Sequence, residues 1–170
     1  MKGKIALALV LSIGGYGIIG PGAPAAAETL VTHRIPAALA LEAVGEAVAA
    51  CAKQGHAETA VLVDADGVRQ ALLRGDGTGV HSLDSAFSKA YTSATMKANT
   101  LVVIERTKDD PMMIPSIAKL PNMILNGGGV VITINGEVIG AIGAAGAPSG
   151  EADEACAKAG LDKILSRLTP

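Results

Sequence analysis

The sequence predicts an α+β domain, an antiparallel sheet of about five strands with helices packed on it. Two hairpin signals carry the prediction: Asp66-Gly67 and Asn135-Gly136 each sit between runs of β-branched and aliphatic residues, and both dipeptides tolerate the backbone of a tight turn. Helical stripes lie before, between and after these hairpins, which is not the strand-helix alternation of a parallel, doubly wound sheet.

The first helix opens at Ile35-Pro36, with proline suited to the first turn. Leu41, Val44, Val48 and Cys51 then recur at helical spacing until Gly55. Thr59–Asp64 and Val68–Arg74 form the first hairpin. Gly75-Asp76-Gly77-Thr78-Gly79 is a loop by composition, and Ser82 is the expected N-cap of a helix carrying Leu83, Phe87, Ala90, Tyr91, Ala94 and Ala98 on one stripe. The run Thr100–Thr107 is β-branched, yet its position before Asp109-Asp110-Pro111 favours a helix. Asn122–Leu125 is read as a short strand, and Val130–Ile134 with Glu137–Ile142 as the second hairpin. The last helix starts near Ser149-Gly150, with acidic residues in its first turn and Ala157, Leu161, Ile164, Leu165 and Leu168 as its buried stripe.

Lys2 and Lys4 precede an apolar run from Ile5 to Ile19, followed by Pro21 and the small residues Ala25-Ala26-Ala27. This layout is that of a cleavable secretory signal, so residues 1–27 are expected to be removed and residues 28–170 to form one exported domain, periplasmic or secreted. The run is broken and shorter than a membrane span. The formal charge of -2 and the absence of a basic stripe exclude nucleic acid as an expected partner. Beyond the signal the aromatic residues are Phe87 and Tyr91, so Ala, Val, Ile and Leu must build the core. Cys51 and Cys156 both fall on expected helices. Two separate buried thiols are expected, with a bridge between the first and last helices as the alternative that export allows.

The densest polar constellation is Arg74-Gly-Asp-Gly-Thr-Gly-Val-His81-Ser82, running from a strand end through a glycine-rich loop into a helix N-terminus. Backbone N–H groups in such a loop can cradle an anion. His81 stands just before the helix, where the positive end of the dipole favours a neutral imidazole able to ligate a metal or haem iron. His33 and His56 have no second ligand at metal spacing. Asp64 and Asp66, Asp109 and Asp110, and Asp153 and Glu154 each have a structural explanation in a turn or helix start, and the serines lack a nucleophile-elbow context. No catalytic residue is assigned.

The stretch Arg74 to Ala94 resembles the Arg-x-Asp-Gly-Ala segment, leading to His-Ser/Thr and Lys-Ala-Tyr-Thr-Ala-Ala, of the GlcG/HbpS family of small haem-binding or haem-degrading-like proteins. Gly127 to Pro148, followed by Glu151 to Leu161, is similar to the family's second signature. Departures are Thr78 for the family's alanine, Val130 for its proline, and Gly143-Ala144-Ala145-Gly146 for its Gly-Val-Ser-Gly. The resemblance spans nearly all of the mature chain. It implies a profilin-like or PAS-like five-stranded domain and assembly into dimers or rings as large as octamers.

The function expected from residues and resemblance together is an exported haem-binding protein that sequesters or senses haem or another tetrapyrrole. His81 would be the axial ligand to the iron, with Phe87 and Tyr91 near the porphyrin and Arg74 or Lys89 on a propionate. The alternative is a small organic-acid binding or sensory module that uses the Gly75 to Ser82 loop, with Asp76, Gly77 and Ser82, as an anion nest, without haem. A haem-degrading enzyme ranks third, and a sensor or transporter partner leaves no spacing rule to read.

Overall fold

The computed structural model describes Ala27 and residues 29–169, so the expected signal segment lies almost wholly outside the described residues. The chain divides after Val31, and the unit from Thr32 onward holds all the elements. These are α1 (Ala37–Lys53), β1 (Thr59–Asp64), β2 (Arg69–Arg74), α2 (Ser82–Met96), α3 (Thr100–Thr107), α4 (Met113–Ile117), β3 (Gly129–Ile134), β4 (Glu137–Ala145) and α5 (Gly150–Leu165). None of the described helices is long and apolar enough to cross a membrane.

The strands form one antiparallel sheet of four, not five, in the order β2-β1-β4-β3. The expected strand at Asn122–Leu125 does not form. Asn122 sits at φ 64°, in the left-handed region, and the Ile124 N–H is taken by Thr92 Oγ1 at 2.9 Å. An isolated extended segment without a ladder gains nothing by strand geometry.

Both hairpins form as expected. Asn135 and Gly136 take φ 49° and 83°, the two positive angles of a tight two-residue turn. The first turn is built differently: Gly67 is at φ 79°, and Asp64 Oδ1 accepts from the N–H groups of Asp66 and Val68 at 3.0 and 2.9 Å.

Helices α1 and α5 cover one face of the sheet, burying Ala43, Val44, Leu62, Ile132, Ile142 and Ile164. Helix α2 covers the other, burying Val61, Val63, Ala86, Phe87, Ala90 and Ala141. Strand β1 feeds both cores by alternation, which is why Ala60, Val61, Leu62 and Val63 are all apolar. Close approach needs glycine. A Cβ on Gly143 would lie 2.2 Å from the Ala86 carbonyl oxygen, and one on Gly160 would lie 2.5 Å from that of Ala43.

The approach of α5 to α1 brings Cys51 and Cys156 together. Their Cα atoms are 5.5 Å apart and the sulfurs are bonded, which corrects the expectation of two separate thiols. A spacing of 105 residues holds no hint of the contact, since the pairing is set by helix packing across the sheet. Both cysteines are fully buried.

Candidate functional site

The loop leaving β2 is held mainly by its own chain. The Gly75 N–H donates to the Glu58 carbonyl at 2.8 Å, and the Thr78 hydroxyl reaches the carbonyls of Glu58 and Gly75 at 3.1 and 2.8 Å. Thr78, a departure from the family pattern, is thus a buried staple. Arg74 donates through Nε to the Thr78 carbonyl at 2.8 Å and reaches the same oxygen through Nη2. Gly77 takes φ 76°, the bend the loop requires. The amides of Gly75, Thr78, Ser82 and Leu83 are all spent on carbonyls within the fold. The expected anion cradle is therefore narrower than the glycine count suggested.

Beside this loop lies a cavity of about 310 Å³, walled by Val48 and Ala52 of α1, His56 and Glu58 before β1, Arg74 at the end of β2 and Asp76 after it. Arg74 and Asp76 were expected here; His56 and Glu58 were not.

His81 and Ser82 stand apart from that cavity's wall. Ser82 is buried and its Oγ donates to the Gly79 carbonyl at 2.6 Å, with Thr59 Oγ1 at 2.7 Å. It opens the helix without capping it; His81 holds the N-cap position, already at helical φ -61° and ψ -23°. The His81 ring is exposed and lies over Gly79, where a Cβ would meet it at 2.6 Å. Among the described residues it makes no side-chain hydrogen bond.

Phe87 and Tyr91 pair with ring centroids 5.8 Å apart, and the Arg69 guanidinium lies 3.5 Å from the Phe87 centroid. At about 100° per residue, six residues separate His81 from Phe87 by roughly 120° around α2. The structure therefore does not bring His81 onto the aromatic stripe.

Lys89, expected beside a propionate, is buried. Its Nζ donates to the Ala144 carbonyl at 3.1 Å and to Asp153 Oδ2, whose Oδ1 accepts from the Ala147 N–H at 2.9 Å. A Lys89 ammonium so engaged is not available to a ligand. Beside Asp153 the buried carboxyl of Glu58 is pushed up to about 8, first by burial and then by the Asp153 charge. Glu58 Oε2 lies 3.1 Å from Cys51 Sγ, and the Asp153 carboxyl neighbours the same group. Sequence reasoning missed this group. Asp153 looks like an acid at a helix start, and partners 64 residues apart leave no local pattern.

Four antiparallel strands between one helix and two, with polar groups gathered at the exit of an edge strand, define a small α+β domain. The chain belongs to the HbpS-like haem degrading protein family, whose model matches residues 35–162. A crystal structure of HbpS is similar at 33% identity and TM-score 0.74, over 82% of this chain and 96% of that one. A double mutant of Streptomyces reticuli HbpS is 34% identical at TM-score 0.73, over 84% and 97%. A PduOC:heme complex shares the fold, with 24% identity and TM-score 0.66 over 72% of this chain and 89% of that one.

Proposed function

We propose that this chain is an exported haem-binding protein and that His81 supplies the axial ligand to the iron. The observation that carries the reading is the His81 ring, exposed at the start of α2 and held by no hydrogen bond among the described residues. Those residues contain no cluster of three or more His, Cys, Asp or Glu side chains able to hold a bare ion. Haem brings four nitrogen ligands of its own, so one imidazole suffices. The family and the haem complex of a protein with the same fold support the same reading.

A cavity of about 310 Å³ is at the lower bound for small-molecule pockets and suits a small acid better than a porphyrin. The porphyrin is therefore assigned to an open face. Arg69, Leu72 and Arg74 pair in register with Val63, Val61 and Thr59, which puts them on the side of the sheet that α2 covers. All three are exposed on edge strand β2. Leu72 offers apolar contact there, and the two guanidiniums offer partners for carboxylates. Arg69 thus takes the part first expected of Lys89. When bound, haem would supply the redox and ligand-binding chemistry of its iron; the chain's own residues bind and orient it.

The same exposed edge strand favours self-association, a dimer or larger ring, because its ladder groups are unpaired on one side. Export draws support from the Cys51–Cys156 bridge, a bond that persists in oxidising compartments. N-terminal sequencing of the exported protein should begin at Glu28.

A second reading has its own observation. The cavity beside Arg74 and His56 fits a small organic acid, because Arg74 Nη1 makes no hydrogen bond to a described residue. Titrating residues 28–170 with haem, beside His81→Ala, separates the two. A saturable Soret shift in the wild type, weakened at least about tenfold in the variant, is expected. No saturable shift in the wild type overturns the haem reading and leaves the small acid. Loss of the Soret band under reductant and oxygen, with release of an open tetrapyrrole, would add turnover to binding.

A further inference from the structure

The strap that leads into α1 is fastened to both hairpins. The His33 backbone N–H donates to Glu137 Oε1 at 3.0 Å, and His33 Nδ1 lies 2.6 Å from Glu137 Oε2, beside the turn between β3 and β4. Arg34 lies 3.7 and 3.8 Å from the carboxylates of Asp64 and Asp66, where β1 turns into β2, and Ile35 is buried in the core. So tied, the strap contributes Thr32 to the wall of another cavity, of about 350 Å³. The remaining walls come from the two turns, with Ala65, Glu137 and Val138, and from the end of α2, with Ala94 and Lys97. This cavity lies at the opposite end of the sheet from the Gly75 to Ser82 loop and from His81.

Lys97 ends α2 at φ 52°, in the left-handed region where glycine is the usual occupant. A lysine inside the last turn would serve the helix dipole as well without that backbone cost. Among the described residues the Lys97 ammonium makes neither an ion pair nor a hydrogen bond, although the Glu137 carboxylate walls the same cavity. Hydrogen bonds from His33, its backbone N–H foremost, hold the Glu137 carboxyl below the usual carboxylate range. The cavity therefore carries a cation and an anion that do not close on each other. A backbone cost retained for an unpaired side chain at a cavity wall points to a partner outside the chain.

We propose that this cavity binds a small aliphatic zwitterion, an amino acid with its carboxylate on Lys97, its ammonium on Glu137 and its side chain against Ala94 and Val138. Both Glu137 oxygens accept from His33, yet a carboxylate has about four lone-pair sites, so each oxygen can accept once more. A simple anion would gain Lys97 and meet the charge of Glu137; a simple amine would do the reverse. Only a molecule carrying both charges satisfies both groups. The volume, near the lower end of the small-molecule range, suits an amino acid and not a porphyrin. The site is independent of haem and of the cavity beside Arg74.

The test is titration calorimetry of the purified protein with L-alanine, L-valine and L-leucine, beside isobutylamine and isovalerate, which are valine without its carboxylate and without its ammonium. Saturable binding of at least one amino acid is expected, with each one-charge analogue at least about tenfold weaker. Lys97→Gly should weaken the amino acid at least about tenfold without lowering the melting temperature of the unliganded protein, because glycine accepts the left-handed backbone. Lys97→Arg should keep most of the binding. Glu137→Gln, whose Oε1 can still accept from the His33 N–H, should bring valine and isovalerate to similar affinities. Absence of saturable binding for all three amino acids overturns the proposal, as does isovalerate binding as tightly as valine to the wild type. Undiminished binding by Lys97→Gly also overturns it, and so does a melting temperature lowered by that variant, which would assign the lysine to the helix end alone.

Discussion

Glu58 makes folding depend on pH in a definite direction. Its carboxyl is raised from 4.5 to about 8 in the folded chain, so the folded state binds a proton that the unfolded chain has released. The stabilisation from neutral burial is full below pH 4.5 and is lost progressively as pH rises to about 8. Urea unfolding midpoints should decline between pH 5 and pH 8 in the wild type and decline much less in Glu58→Gln. Lys89 is the complementary case. Lys89→Met leaves the Asp153 carboxylate buried without its cation and should destabilise by about 3–5 kcal/mol. Adding Asp153→Asn, which can still accept from the Ala147 N–H, should recover most of that loss by the same measurement. Neither residue announces itself in the chain. Lys89 falls in a motif that invites a ligand role and Asp153 in a helix start that explains it away; only the packing of α2 and α5 on one sheet joins them. His81, by contrast, was readable at once, because exposure and position at a helix start are local properties.

Hairpins and helices were legible for the same reason, since turn dipeptides and apolar stripes act over a few residues. What escaped depended on partners. Asn122–Leu125 has strand-like residues but no neighbouring strand to pair with, and Ser82 has a cap's chemistry but spends its hydroxyl on Gly79 and Thr59. The short helix α4 was also unforeseen. Two consequences follow for the elements. Gly143→Ala would push a methyl into the Ala86 carbonyl and the Ala90 N–H, 2.2 and 2.6 Å from its Cβ. Forcing α2 off β4 should destabilise by about 1–3 kcal/mol, read as a lowered melting temperature. Replacing both cysteines by alanine removes a constraint that closes a loop of 105 residues. A loss of about 2–5 kcal/mol is expected, seen as a shift in the denaturant midpoint with the sheet retained by circular dichroism.

Over the whole molecule the two faces of the sheet are unequally covered at its ends. Strand β2 leaves Leu72 and Leu73 exposed by 43% and 39% beside its unpaired edge. Sedimentation velocity should show association in the wild type and a monomer for Leu72→Lys combined with Leu73→Lys, while an unchanged sedimentation coefficient would assign assembly to another surface. Glu58 gives this end of the molecule a further property. Its backbone carbonyl anchors the loop that carries Arg74 and Asp76, and its side chain touches the bond between α1 and α5. One residue thus serves as a common joint for two events. By thermodynamic reciprocity, whatever factor opening the disulfide imposes on the affinity of a molecule resting against the loop, that molecule's presence imposes on the equilibrium of opening. A ligand resting there would bear on the hold between α1 and α5 as much as that hold bears on the ligand.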